Sequence, residues 1–418
     1  MEEMLMDNLH NGETEAQIQA ASELGKLSRR QKHKLVERGI IALLISTLRS
    51  KIMKLLKIKS EFYFCGEHLI RVCTLLTAFM EEMLMDNLLN GERETQIQAA
   101  NELGKLSRRQ KHKLVERGII APLISMLCSQ DYEAIEAALL SLLSLACGSE
   151  RNKIRIVKSG IVPVLLEVLQ CQSTTLIELT VAAMLILSSC LENKLEIASS
   201  GAIQRLVEIL NGDFADDDNS YGRISVQAKI DAIATLHNLS TCHQLISPIV
   251  SSGVTYCLLQ LIHSSEKSSG LTEKAIALLE NIVSSSEDAL QEIAATCGAI
   301  RALVETIEEG SPQCKEHAVA ILLLICKSCR DKYRSSILKE GVMPGLLQLS
   351  VDGTWRAKNM ARDLLLLLRD CSSFGSRSKQ LKNELVEQIM QEIDAEGDTV
   401  AGTTLRLVEE MIAKLSTL

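Results

Sequence analysis

Residues 160–201 read GIVPVLLEVLQCQSTTLIELTVAAMLILSSCLENKLEIASSG. A glycine opens the stretch, and a run apolar at helical spacing follows it. A polar turn then leads into a longer segment, LIELTVAAMLILSSC, which is apolar nearly all round, as a helix buried between neighbours must be. The short piece ENKLEIASS returns the chain to a second glycine. Glycine suits that corner because a helix that ends in the left-handed conformation tolerates no Cβ there.

Working outward, the same corner recurs at Gly118, Gly160, Gly201, Gly253, Gly298 and Gly341, with spacings of 42, 41, 52, 45 and 43 residues. Each glycine is followed by an amphipathic helix, a longer apolar helix such as YEAIEAALLSLLSLAC or CKEHAVAILLLICKSC, and a short return helix such as RNKIRIVKSG. Three helices in about 40–47 residues is the armadillo/HEAT period. One such unit cannot bury its own apolar face, so neighbours must stack and share a core. The expected fold is all-α, a right-handed superhelical solenoid of armadillo repeats. The unit opened by Gly201 carries an insertion, NGDFADDDNSYGRIS, whose composition marks a loop. There Asp213, Asp216, Asp217 and Asp218 form an acidic cluster suited to a basic partner.

The front of the chain is different. Residues 1–50 and 80–129 agree at 43 of 50 positions, at an offset of 79 that is not the solenoid period. The first copy runs into KIMKLLKIKSEFYFCGEHLIRVCTLLTAF, which holds three of the five phenylalanines. The organisation expected is a partial duplicate at 1–50, an atypical junction at 51–79, an array of about seven units at 80–371 beginning at Met80, a linker at 372–380 and a capping helical segment at 381–418; the alternative is that residues 1–79 form an N-terminal cap over the first repeat. Within that segment Leu385, Ile389 and Ile393 share a helix face, as do Leu405, Val408, Ile412 and Leu415.

Composition narrows the function. Aromatics are 3% against 46% hydrophobic residues in all, and Pro numbers only 5, which suits thin helical layers rather than a β-sandwich. A net charge of −8 disfavours a general nucleic-acid binder, which needs a basic surface to neutralise phosphate. No window is long and apolar enough for a membrane span. The N-terminus MEEMLMDNL has acids where a signal peptide has a basic region, so the 13 cysteines are expected as reduced thiols in the cytoplasm or nucleus. Asn238-Leu-Ser240 then matches the glycosylation sequon by accident. No phosphate-cradling loop, nucleophile elbow, HExxH or kinase signature is present, and no cofactor is implied. Cys314, His317, Cys326 and Cys329 hold a CxxC, but on one helix His317 and Cys326 would stand roughly 13.5 Å apart along the axis, too far for one tetrahedral zinc.

From Gly118 to about Asp370 the segments GSERNKIRIVKSGIVPVLLEVL, AIATLHNLS, GSPQCKEHAVAILLLIC and EGVMPGLLQLSVDGTWRAKNMARDLLLLLRD resemble the armadillo region of plant U-box/armadillo proteins. In that family a U-box recruits a ubiquitin-conjugating enzyme while the array grips a partner. No segment of this sequence fits a U-box, and the single Trp, Trp355, lies in the last repeat. The resemblance therefore implies the binding role, in a non-catalytic scaffold or adaptor whose partner is an extended peptide or a helix of another protein. The alternative is a substrate-binding or regulatory component of a ubiquitin-ligase pathway.

Armadillo arrays of the importin type bind peptides with a Trp-x-x-x-Asn ladder on their long helices. Aligned in that way, Lys105, Ser144, Ile186, Asn238, Asn281 and Leu324 take the Asn column. Asn101, Leu140, Ala182, Ala234, Ala277 and Ala320 take the Trp column, which has no tryptophan. Stacking walls for lysine side chains are missing. Asn238 and Asn281 can still hold a peptide backbone, because an amide both donates and accepts. The candidate protein-binding groove is Lys105, Arg108, Ser144, Asn238 and Asn281. Lys105 and Arg108 belong to a basic run, KLSRRQKHK, that suits an acidic partner or a nuclear import signal.

Overall fold

The computed structural model describes residues 19, 63–212 and 224–369 of the chain. Every regular element among them longer than a single residue is helical. The chain divides into two compact units, Met1–Asn193 and Lys194–Leu418.

In the first unit, α1 (Tyr63–Asn90) and α2 (Arg93–Leu103) precede two helix triplets. These are α3 (Arg108–Glu116), α4 (Ile120–Leu127) and α5 (Tyr132–Ala146), then α6 (Glu150–Lys158), α7 (Ile161–Val168) and α8 (Thr174–Ser188), with a 3-10 turn at Leu191–Asn193. The second unit holds four triplets. They are α9 (Lys194–Ser199), α10 (Ala202–Asn211) and α11 (Val226–Ser240); α12 (Ile246–Ser251), α13 (Val254–Ser264) and α14 (Gly270–Ser285); α15 (Glu287–Ala295), α16 (Ala299–Glu309) and α17 (Pro312–Ser328); and α18 (Arg330–Lys339), α19 (Met343–Asp352) and α20 (Trp355–Leu368). Within each unit the long helices stack in sequence, α2 on α5 on α8 and α11 on α14 on α17 on α20. This is the armadillo arrangement expected from the period.

Local chemistry explains the triplet. All six corner glycines have positive φ, between 77° and 91°. At Gly160 and Gly201 a Cβ would meet nothing within 4 Å, so the glycine is required by backbone conformation and not by space. Six of the seven long helices begin at a capped residue: Asp131, Ser173, Ser225, Ser269, Ser311 and Thr354 each accept a backbone N–H two or three residues on. The core is aliphatic and continuous within each unit, with Leu103, Ala138, Val181 and Met184 buried in the first and Ile233, Ile276, Leu322 and Leu364 in the second.

The corners RNK and ENK have a mechanical role. Asn152 Nδ2 donates to the Leu145 carbonyl at 2.8 Å, and Asn193 Nδ2 to the Leu187 carbonyl at 3.0 Å. Each thereby closes the C-terminus of the preceding long helix, where carbonyls have no intrahelical partner. The next residue reaches the following long helix. Lys153 Nζ donates to Ser189 Oγ at 2.7 Å, and Lys194 Nζ donates to Thr241 Oγ1. Ser189 and Thr241 are the C-caps of α8 and α11, so both ammonium groups sit where the helix dipole favours a cation.

Helix α1 runs through the expected boundary at Met80 with no proline to interrupt it, and Phe79 and Met80 are both buried. Two other expectations are corrected. Lys105 is not on a long helix: α2 ends at Leu103, and Lys105 lies in the following turn. The four residues of the CxxC cluster do not share one helix, since α17 ends at Ser328 and Cys329 links it to α18. Residues 1–50 apart from residue 19, residues 51–62 of the junction, most of the acidic insertion, the linker at 372–380 and the segment 381–418 lie outside the described residues.

Candidate protein-binding groove

The long helices present one row of side chains that the stack does not bury. On α5 that row is Glu133, Glu136, Leu140 and Ser144, exposed or half-buried, while Ala138, Leu142 and Leu145 on the other side are buried. Each successive long helix repeats the pattern. Within the Asn column Ser144, Ile186, Asn238, Asn281 and Leu324 are all half-buried. In the first unit the row opens as a shallow groove of about 340 Å³ between α2 and α5, lined among others by Ile97, Gln98, Asn101, Glu136 and Leu140. Asn101 and Leu140, neighbours in the Trp column, meet in it. One end is charged. Arg93 donates from Nη2 to Asp131 at 2.8 Å and to Glu133 at 2.7 Å. Those bonds hold the Asp131 carboxyl below the usual carboxylate range, against the smaller opposing effect of desolvation.

Lys105 and Arg108 stand apart from this row. Lys105 pairs with Glu102 at 2.5 Å, and Arg108 opens α3, whose start is a capping box between Ser107 and Gln110. Both belong to the return segment rather than to the face of the long helices.

In the second unit the column holds amides that are already bonded. Asn281 Nδ2 donates to Ser240 Oγ at 2.6 Å, from α14 across to α11, and Ser240 in turn donates to the His237 carbonyl at 2.8 Å. Asn238 has a bonded partner as well. In the Trp column Ala234 and Ala277 are half-buried, while Ala320 is buried. A partner backbone would therefore meet amides held in place by the stack, with the Asn281 carbonyl oxygen as an acceptor.

Sequence reasoning missed a polar network beside this column. Glu280 on α14 is 8% exposed and accepts from Arg356 of α20, while His317 Nδ1 of α17 lies 2.5 Å from its other oxygen. Arg356 also donates to Glu316 Oε1 at 2.9 Å, and Thr354 donates to the other Glu316 oxygen. Burial pushes the Glu280 carboxyl up, but the bonds from His317 and Arg356 outweigh it and leave the group below its ordinary range. Three consecutive long helices are thus tied by one carboxylate. The pKa of His237 on α11 is also lowered, by burial first and then by the charges of Lys274, His317 and Lys194, which disfavour its charged form. A signal did exist in the sequence. Ala277 to Ala320 is 43 residues while Glu280 to His317 is 37, so partners sit nearer the start of the next long helix. A search at the exact repeat offset passes over them.

A second set of contacts caps the post-glycine helices. Lys229 donates to the Gly212 carbonyl at 2.8 Å, Lys267 to Ile262 at 2.6 Å, and Lys315 to Glu308 at 3.0 Å. In each case an ammonium group closes the C-terminus of the preceding helix.

Together the triplets, the corner glycines and the stacked long helices define an armadillo-repeat protein. Residues 199–386 match the family model described as the plant U-box protein ARM repeat region. Comparison with curated proteins gives no match. Among solved structures, the chain is similar to an engineered protein at TM-score 0.62 and 19% identity, covering 99% of this chain and 98% of that one. It is also similar to a computationally designed armadillo repeat protein for modular peptide recognition, at TM-score 0.51 and 21% identity, over 59% of this chain and 99% of that one. A further designed armadillo repeat protein aligns at TM-score 0.50 and 21% identity over the same shares. At these identities the likeness is one of fold.

Proposed function

We propose that this chain is a non-catalytic scaffold or adaptor that holds an extended segment or a helix of a partner protein along the presented face of its long helices. The observation that carries the reading is the half-buried row that the long helices present within each unit, which in the second unit holds bonded amides at Asn238 and Asn281. Such a row offers backbone recognition at regular intervals and needs no cofactor. Recognition of peptides by a designed armadillo protein of similar fold supports it. The test is affinity purification of the full chain, followed by mass spectrometry, in parallel with Leu140→Arg and Asn281→Arg. Partners recovered by the wild type and lost with both variants uphold the groove. Recovery unchanged by either variant overturns it.

A second reading rests on the match of residues 199–386 to the ARM region of plant U-box proteins. In it the chain presents or regulates substrates for a ubiquitin ligase. Reconstituted ubiquitination separates the two: a partner modified only when this chain and a separate ligase module are both present supports the second reading, and equal modification without the chain removes it. Cytoplasmic and nuclear residence is proposed with either, and fractionation of the tagged chain checks it.

A further inference from the structure

The short helices of the first unit carry a surface that the groove of the long helices does not use. Helix α3 with the next residue reads RRQKHKLVER and α6 reads ERNKIRIVK, so the two segments hold nine Lys and Arg against Glu116 and Glu150, in a chain whose net charge is −8. They lie side by side. His112 Nδ1 is 3.0 Å from Asn152 Oδ1, and Arg151 lies 2.9 Å from His112 Nε2. Glu116 is shared between Arg151 at 3.0 Å and Arg155 at 3.6 Å, so one carboxylate faces two guanidinium groups and the surplus stays positive.

Between these helices opens a groove of about 440 Å³. Its floor is apolar, formed by Val115, Ile120, Ala121 and Ile124, and its wall carries Arg155 and Lys158. The volume is that of a site for one or two large side chains. We propose that this groove docks an acidic peptide segment of a partner protein, one that seats an aliphatic side chain on the floor and sets carboxylates against Arg155 and Lys158. Charge complementarity selects the acidic partner, and the floor selects a peptide among acidic partners. Single-stranded nucleic acid is gripped by stacking on aromatic rings, and none of the residues that line the groove is aromatic. An anionic membrane is bound by apolar side chains that project into it, whereas Val115 and Ile120 here are buried. The site is built from the short and post-glycine helices, so it is independent of the groove proposed above.

The experiment is fluorescence anisotropy with the full chain and a labelled twelve-residue peptide in which glutamates flank a central Leu-Leu pair. Polyglutamate of equal length, single-stranded RNA and phosphatidylserine vesicles serve as competitors. The expected result is saturable binding that weakens with salt, falls at least tenfold in Lys158→Glu, and is displaced poorly by all three competitors. Ala121→Gln places a polar group over the floor at an exposed position. It should weaken the Leu-Leu peptide severalfold and leave polyglutamate binding unchanged, with a melting curve like that of the wild type. Binding unaffected by both substitutions, or displacement by polyglutamate, RNA or vesicles at concentrations comparable to the peptide's own, overturns the proposal. Should Lys158→Glu fail to fold, Ala121→Gln decides.

Discussion

Asn152 is 1% exposed and bonded to a helix-terminal carbonyl that has no other partner in its own helix. Asn193 repeats the geometry one unit on. Replacing Asn152 by alanine leaves a buried acceptor unpaired, at a cost of ~1–3 kcal/mol, whereas the Leu187 carbonyl keeps a bond from the Cys190 N–H, so Asn193→Ala should cost less. Urea denaturation should show a lower midpoint for Asn152→Ala and for Asn193→Ala, and unchanged midpoints would remove the capping role. The corner glycine makes a sharper case. Gly201 has φ of 87° and open space around it, so Gly201→Ala should cost about 1–2 kcal/mol from backbone conformation alone. Gly201→Asn should recover part of that loss, since Asn tolerates the left-handed region. Equal losses for the two variants would mean that packing, not φ, governs the corner. At this scale the sequence was legible where one residue type answers one constraint. Positive φ selects glycine almost uniquely, and all six corners were found. An asparagine amide serves many purposes, so the RNK and ENK corners stood out as signatures without revealing what they close.

Among elements, the stack of α14, α17 and α20 is tied through Glu280, and its charge state sets a pH dependence. The folded Glu280 carboxyl sits below its ordinary value of 4.5 because the bonds from His317 and Arg356 overcome burial. A depressed carboxyl pKa contributes stability that is complete above the unfolded value and is lost as pH falls through the folded one. Acidification below about pH 4.5 should therefore loosen these three helices, and Glu280→Gln should flatten that part of the stability profile while lowering stability near neutrality. His237 acts in an adjacent window. Its folded pKa lies below 6.5, so the unfolded chain gains the proton first and stability declines as pH drops under 6.5. His237→Gln should remove the slope that begins below pH 6.5. Chemical denaturation of each variant across pH 4–8 checks both, and a variant profile parallel to the wild type would exclude the residue concerned. The elements themselves were legible because helix length, apolar faces and N-caps are written locally. The lateral network was not, because its partners lie short of the repeat offset and involve residues that any surface helix carries.

For the whole molecule, the period of about 42 residues and the need of each triplet for neighbours are enough to specify the architecture. The partner did not follow, because groove residues such as Leu140, Ser144 and Asn281 vary in chemistry from repeat to repeat and share only their position. The start of the array is harder to read for a different reason. The duplicated sequence begins at Met80, and a methionine followed by acids looks like a beginning, but burial depends on the helix that contains it. Helix α1 runs through that point, and Met80 is 1% exposed beside Phe79 at 3%. A chain that begins at Met80 would place a charged amine at a buried site and at a helix N-terminus, where both desolvation and the helix dipole oppose it. It would also lose the Phe79 side chain. Because repeats couple mainly to their nearest neighbours, the damage should stay near that end. Amide hydrogen exchange on residues 80–418 should show α2 losing much of its protection while α5 and α8 keep theirs, and residues 63–418 should restore α2 to the level of the full chain. Full protection of α2 in the shorter chain would instead make Met80 the physical start of the array, and the upstream part of α1 an extension that the fold does not require.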